Sequence, residues 1–319
     1  MADDELDAPQ PSLVVRAPDG RSLAVDVVGD PDRDALTVFL MHGMPGSRLG
    51  PRPRDFVLHR LGIRLVSYDR PGYGQSSRSR HRSVHDAGAD VVAIANKLGV
   101  EEFAVVGRSA GGPHALAVAA YAPERVTGAA VLVGSAPSDA QGLEWFEGMV
   151  KSNQEAYSAA DRQAADESEL VLTAVLQARA DEVAENPASM ITHLRGDLAP
   201  SDRRVVESPA LRTLLTDTYA EAVRDGGQGW IDDALALRSN WGFKLSRVTC
   251  PVLLWHGMDD RFVPVAHTEW LADRLRETRM DADGVAVRIE SGIAHFGAME
   301  ILPEALGWLS RNAKHHSRR

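Results

Sequence analysis

At 319 residues with 44% apolar side chains, the chain can bury a sizeable core, either as one large α/β domain or as a core with an insertion. A net charge of -10, from 35 basic and 45 acidic residues, argues against non-specific nucleic-acid binding, which needs clustered lysine and arginine to displace counterions. The single cysteine, Cys250, excludes an internal disulfide; lying before Pro251 in an apolar run it reads as a small buried hydrophobe, and a reducing, cytoplasmic location is expected.

In chain order, the acidic stretch MADDELDAPQP, residues 1–11, lacks a basic region followed by an apolar one and is expected to be a disordered tail. Short β-rich runs follow: SLVVRA, a turn at Pro18-Asp19-Gly20, SLAVDVVG, then LTVFLM, GIRLVSY, FAVVG and VTGAAVLVG. Amphipathic segments separate the later runs, at Ser83 to Leu98 and Ala110 to Tyr121. A hairpin followed by β-α repeats implies a mostly parallel, doubly wound sheet.

From residue 137 to residue 245 no β-rich run occurs, and alanine-rich, charged helical patterns such as LEWFEGMVKS, ELVLTAVLQARADEVA and LRTLLTDTYAEAVRD take over. This is expected to be a helical cap inserted into an α/β core made of 12–136 and 246–312. The β-α rhythm resumes with PVLLWHG, a helix from Val265 to Thr278, the strand VAVRIE and a last helix from Leu302 to Asn312. About eight strands result. The basic tail AKHHSRR, residues 313–319, reads as a solvated terminus, and no apolar run approaches the roughly 20 residues that a membrane span requires.

The sharpest chemistry is GRSAGG, Gly107 to Gly112, between the strand FAVVG and the helix AGGPHALAVAAY. A serine nucleophile on such a turn takes a strained backbone so that its hydroxyl projects above the sheet edge, which requires small residues two positions either side. Gly107 and Gly111 meet that requirement around Ser109, and Pro113 falls in the first helical turn, where a missing N–H costs little. A helix-capping serine is the alternative.

A serine hydroxyl needs a base, and the base needs an orienting acid. Among eleven histidines, His295 in SGIAHFGAM is the strongest candidate, because it follows the last strand in a loop at the functional edge of such a sheet. His256 ends a strand, His267 lies on a helix, and His315 and His316 are in the tail. The loop MDDRFVP offers adjacent acids, Asp259 and Asp260, with Asp139 a weaker third. An oxyanion needs two backbone N–H donors: Ala110 follows the nucleophile, and Met44 lies in the loop HGMPGSR after LTVFLM, where Gly43 and Gly46 allow close backbone approach.

With these motifs together the chain resembles the α/β-hydrolase superfamily, in particular capped members with HGxPGS, DRPGYGxS, GxSxGG and a final GxxD…VP and H set. Here those are His42 to Ser47, Asp69 to Ser76, Gly107 to Gly112, Gly257 to Pro264, and His295. The resemblance runs from Ser12 to Asn312. It selects Asp260 over Asp259, since the family's acid falls three residues after the glycine, and it implies an oxyanion hole made by the amides of Met44 and Ala110. Haloalkane dehalogenases and epoxide hydrolases carry an aspartate at the elbow, so Ser109 argues against both. Prolyl iminopeptidases have HGGPG where this chain has Met44, so an N-terminal peptidase is not favoured.

In the cap, Trp145, Trp230 and Trp241 are candidates for the wall of an apolar pocket, among other aromatics including Tyr157 and Tyr219. Trp241-Gly242-Phe243 resembles the docking hinge of similar capped hydrolases. Arg108, beside the nucleophile, reads either as a ligand for a substrate carboxylate or, preferred, as half of a structural ion pair beneath the loop. Asp69 and Arg70 read as structural.

The expected activity is that of a serine hydrolase, cleaving an ester, lactone or thioester of a small to medium apolar molecule through an acyl-enzyme, without cofactor or metal. A peptidase or carbon-carbon hydrolase on the same residues, and a non-catalytic ligand-binding relative, are the alternatives. The expected partner is a small-molecule substrate, with no nucleic acid or membrane, and a homodimer is a base-rate expectation.

Overall fold

A computed structural model describes residues 9–32, 34–161, 166–278 and 284–316. The eight β-rich runs become β1 (Leu13–Arg16), β2 (Ser22–Gly29), β3 (Leu36–Met41), β4 (Ile63–Tyr68), β5 (Phe103–Arg108), β6 (Val126–Leu132), β7 (Val252–Gly257) and β8 (Val285–Glu290). They form one sheet in the order β1-β2-β4-β3-β5-β6-β7-β8. β1 and β2 form the expected hairpin, β2 also runs antiparallel to β4, and every later pair is parallel.

Alternation along the strands sends side chains to two covered faces, which is why the central strands are apolar throughout. Phe39, Met41, Phe103 and Val105 pack toward α2 (Ala87–Leu98), α3 (Gly111–Tyr121) and α10 (Ala266–Glu277). Val38, Leu40, Ala104 and Val106 pack toward α1 (Asp55–Leu61) and α11 (Gly297–His316). β3 and β5 are neighbours, with Met41 paired to Gly107, so the loops leaving their carboxyl ends meet at the point where the strand order reverses.

Between β6 and β7 lie six helices among the described residues: α4 (Lys151–Asp161), α5 (Asp166–Glu185), α6 (Ser189–Leu194), α7 (Pro200–Glu207), α8 (Pro209–Ala222) and α9 (Gln228–Arg238). Their apolar faces, including Leu172, Leu176, Leu215, Tyr219, Trp230 and Ile231, share one cluster with Phe262, Phe296 and Met299 from the loops beyond β7 and β8. Buried ion pairs fasten the same helices to the sheet layer. Arg48 lies between Asp69, at 2.7 Å, and Glu221 of α8, while Asp233 of α9 takes Arg70 at 2.5 Å and Arg82 at 2.6 Å. Asp69 and Arg70 therefore bear the structural load expected of them.

Several expectations are corrected. LEWFEGMVKS is a chain of turns up to Val150, with helix only from Lys151, because Gly142 just before it and Gly148 within it adopt φ values of 82° and 78° that break a helix. The last helix begins at Gly297, ahead of the expected start near Leu302, and runs to His316, so residues 313–316 are helical; 317–319 lie outside the described residues. The expected disorder of 1–11 falls mostly on residues 1–8, which are also outside them, while Pro9 accepts hydrogen bonds from Arg48 and Gln75. Among the described residues no helix is long and apolar enough to cross a membrane.

Candidate active site

Ser109 sits at the end of β5 with φ +55°, a left-handed conformation that a non-glycine residue rarely adopts. Its amide donates to the Leu132 carbonyl at 2.9 Å and its carbonyl accepts from Gly112 at 2.8 Å, so the strained turn is over-determined from both sides. The need for glycine is steric. A Cβ on Gly107 would stand 2.0 Å from the Gly111 carbonyl oxygen, and one on Gly111 would stand 2.1 Å from that of Met41. Both contacts are with backbone, which cannot swing aside.

Asp260 and His295 come from adjacent loops, beyond β7 and β8. His295 Nδ1 lies 2.7 Å from Asp260 Oδ2, and since a carboxylate only accepts, Nδ1 carries the proton and Nε2 is left with its lone pair. Asp260 Oδ1 accepts the amides of Phe262 and Val263 at 2.8 and 3.0 Å, and His256 Nε2 lies 3.3 Å from Oδ2. Burial opposes the charge on Asp260, but His295 and His256 outweigh it and hold the carboxyl below the usual range. Asp259 is exposed and takes no part in this contact. Ser109 and His295 line one cavity of about 80 Å³ together with Gly43, Met44 and Pro45.

The loop after β3 is held in place from below. Arg70 donates to the carbonyls of His42 and Gly43 at 2.5 and 3.0 Å, and its own amide donates to His42 Nε2 at 3.2 Å. His42 is kept neutral, since burial first and the Arg70 charge second hold its pKa well below the ordinary value, and its Nδ1–H donates to the Gly43 carbonyl at 2.8 Å. The amides of Met44 and Ala110 meet no acceptor among the described residues. Ala110 also caps α3, whose N-terminal dipole points to the same spot.

The cap side of the cavity is formed by Tyr157, Leu176, Arg179, Met190, Tyr219 and Trp230. Of the three tryptophans singled out in the sequence, Trp230 lines the cavity; Trp145 and Trp241 do not. Trp145 is committed elsewhere, with its Nε1 donating to the Ala136 carbonyl at 3.1 Å and the Arg238 guanidinium 4.0 Å over its ring. Trp241 is buried against Phe243. Among the described residues His295 pairs with Asp260 and makes no hydrogen bond or ion pair with Asp139, and His267 is bound between the Ala136 amide and the Trp145 carbonyl. Arg108 lines the cavity and has no carboxylate within 4 Å among the described residues, so the structural ion pair preferred from the sequence is not made.

Two residues escape sequence reasoning. Arg179 lies in a charged, alanine-rich helix with no local mark. Asp202, on α7, reaches across to accept the Phe296 amide at 2.6 Å, next to His295, through a contact 94 residues apart. Burial raises its pKa to about 6, against the opposing charge of His295.

Comparison with known proteins agrees with this geometry at the level of the fold. Esterase EaEST from Exiguobacterium antarcticum superposes with a TM-score of 0.64, at 17% identity, over 96% of this chain and 100% of its own. Epoxide hydrolase B of Mycobacterium tuberculosis is 34% identical over 122 residues, 37% of this chain and 34% of that protein, so the match spans about a third of that relative's length. A Caulobacter sp. protein named as a carbamate hydrolase is 27% identical over 268 residues, 80% of this chain and 85% of its own. Residues 37–300 match the sequence profile described as alpha/beta hydrolase fold, and the chain belongs to that family.

Proposed function

We propose that the protein is a serine hydrolase that cleaves an ester, lactone or thioester of a small molecule through an acyl-enzyme. Ser109 Oγ attacks the carbonyl while His295 Nε2 takes its proton, and Asp260 keeps Nδ1 protonated and supports the imidazolium. The amides of Met44 and Ala110 receive the developing oxyanion. As the carbonyl reforms, the bond to the leaving oxygen or sulfur breaks and His295 returns the proton to it. Water then attacks the acyl-serine by the reverse sequence, releasing a carboxylic acid.

The observation that carries this reading is the meeting of a strained Ser109 and an Asp260-bound His295 at one cavity. Two N–H groups without acceptors beside it support the same chemistry. Similarity to an epoxide hydrolase does not redirect it: a serine that opened an epoxide would be left in an ether, which water does not release, whereas an acyl-serine is readily hydrolysed. The cavity of about 80 Å³ favours short acyl chains. Turnover of 4-nitrophenyl esters tests the reading. Butyrate should be cleaved faster than decanoate, and Ser109→Ala should abolish both; equal activity in the variant would contradict it.

A further inference from the structure

Arg108 is an arginine at a catalytic elbow with no acid to answer it. Its Nη2 lies 3.4 Å from where a Cβ on Gly43 would stand, with the Ser109 Cβ 3.7 Å from the same point, so the guanidinium stands beside the loop after β3 and close to the nucleophile. Among the described residues no carboxylate lies within 4 Å of it, and no aspartate or glutamate lines the cavity. A second cation, Arg179 of α5, enters the same lining; Glu155, Glu182 and Asp197 act on it from nearby, though none pairs with it within 4 Å among those residues.

An uncompensated guanidinium in such a place is costly, because burial strips the charge of water and no partner replaces it. Burial draws the Arg108 pKa below its ordinary value, with the Tyr219 hydroxyl group across the cavity acting the other way. A substrate anion removes that cost when it binds, and a planar carboxylate matches the guanidinium fork with two parallel hydrogen bonds. We propose that Arg108, assisted by Arg179, binds a carboxylate carried by the substrate, so that the preferred substrates are short monoesters of dicarboxylic acids or similarly charged small esters. The proposal rests on the serine-hydrolase reading for the bond that is cleaved, but not for the binding of the anion.

Binding and turnover separate the two. Glutarate, titrated at constant ionic strength into the full chain, should raise the melting temperature of wild type and of Ser109→Ala, and should fail to raise that of Arg108→Gln. In a pH-stat, monomethyl glutarate should be cleaved with at least roughly tenfold higher kcat/KM than methyl valerate. That ratio should fall at least tenfold in Arg108→Gln and less in Arg108→Lys, which keeps the charge but loses the fork. Should Arg108→Gln not fold, the wild-type preference and the lysine variant carry the test. Methyl valerate cleaved as well as monomethyl glutarate, with no stabilisation by glutarate, would overturn the carboxylate site and leave the hydrolase reading standing. Glutarate binding that depends on Arg108 in a protein that cleaves no ester would do the reverse.

Discussion

Asp259 and Asp260 are the same residue type one position apart, and only geometry separates them. Asp260 is buried, fixed by two backbone amides and bound to His295; Asp259 is exposed. Asp260→Asn should therefore lower kcat by roughly three to four orders of magnitude, because the amide oxygen stays on the Phe262 and Val263 amides and the NH2 group then donates to Nδ1, imposing the wrong tautomer on His295, and Asp259→Asn should stay within about twofold of wild type. Steady-state kinetics on a short-chain ester reads both. At this scale the sequence was most informative where the constraint is local: Gly107 and Gly111 announce the elbow because backbone leaves no room for a Cβ within a few residues of the serine. It was least informative for Arg108, whose partner, or lack of one, depends on what the folded chain brings near it.

Helix α7 illustrates coupling between elements. Its Asp202 accepts the Phe296 amide beside His295 with one carboxylate oxygen, while the other is buried without a partner. Burial makes the charged form costly and raises its pKa to about 6, so between the unfolded value near 4 and about 6 the folded protein holds a proton that the unfolded chain releases. The sign follows: this group favours folding at low pH, and its contribution is lost as pH rises through about 6. Asp202→Asn keeps an acceptor for Phe296 without the charge, and should raise the melting temperature by about 3 °C at pH 8 and change it little at pH 4. Scanning calorimetry at the two pH values checks this; an equal shift at both would contradict it. No pattern along α7 foretold this contact, since the acid and the amide lie 94 residues apart. The segment LEWFEGMVKS misled because its periodicity is helical while Gly142 and Gly148 turn the backbone left-handed, and Trp145 packs against Arg238 and His267, more than ninety residues away.

Over the whole molecule, the sheet was legible because eight β-rich runs and their spacing follow from burial on two faces. The docking of the six helices was not, because it depends on buried pairs such as Arg48 with Glu221 and Arg70 with Asp233, whose members are 173 and 163 residues apart. The same interior holds neutral histidines. Burial lowers His114 to about 3 and His267 to about 4, the latter between the Ala136 amide and the Trp145 carbonyl. Folded values below the unfolded value mean that the unfolded chain binds these protons first, so their stabilisation is present above about pH 6.5 and lost as the pH falls toward 4 and then 3. His42, also held low by burial, joins these two, while Asp69 and Asp90, raised by burial, share the trend of Asp202; the histidines prevail because their shifts run from about 6.5 down to 4 and below, a wider range of pH than the carboxyls cover between about 4 and 6. Urea unfolding should show stability falling steadily from pH 7 to pH 4; a flat or rising profile would contradict the assignment of neutral buried histidines.

The central claim is that Ser109 is a nucleophile activated by His295 and Asp260. Its most direct test is covalent labelling of the folded protein with a fluorophosphonate, followed by mass spectrometry of the peptide containing Gly107 to Gly112. The expected result is one adduct per chain on Ser109, absent in Ser109→Ala and much slower to form in Asp260→Asn. A folded wild-type protein that takes no label, or one labelled equally after Ser109→Ala, would contradict the claim.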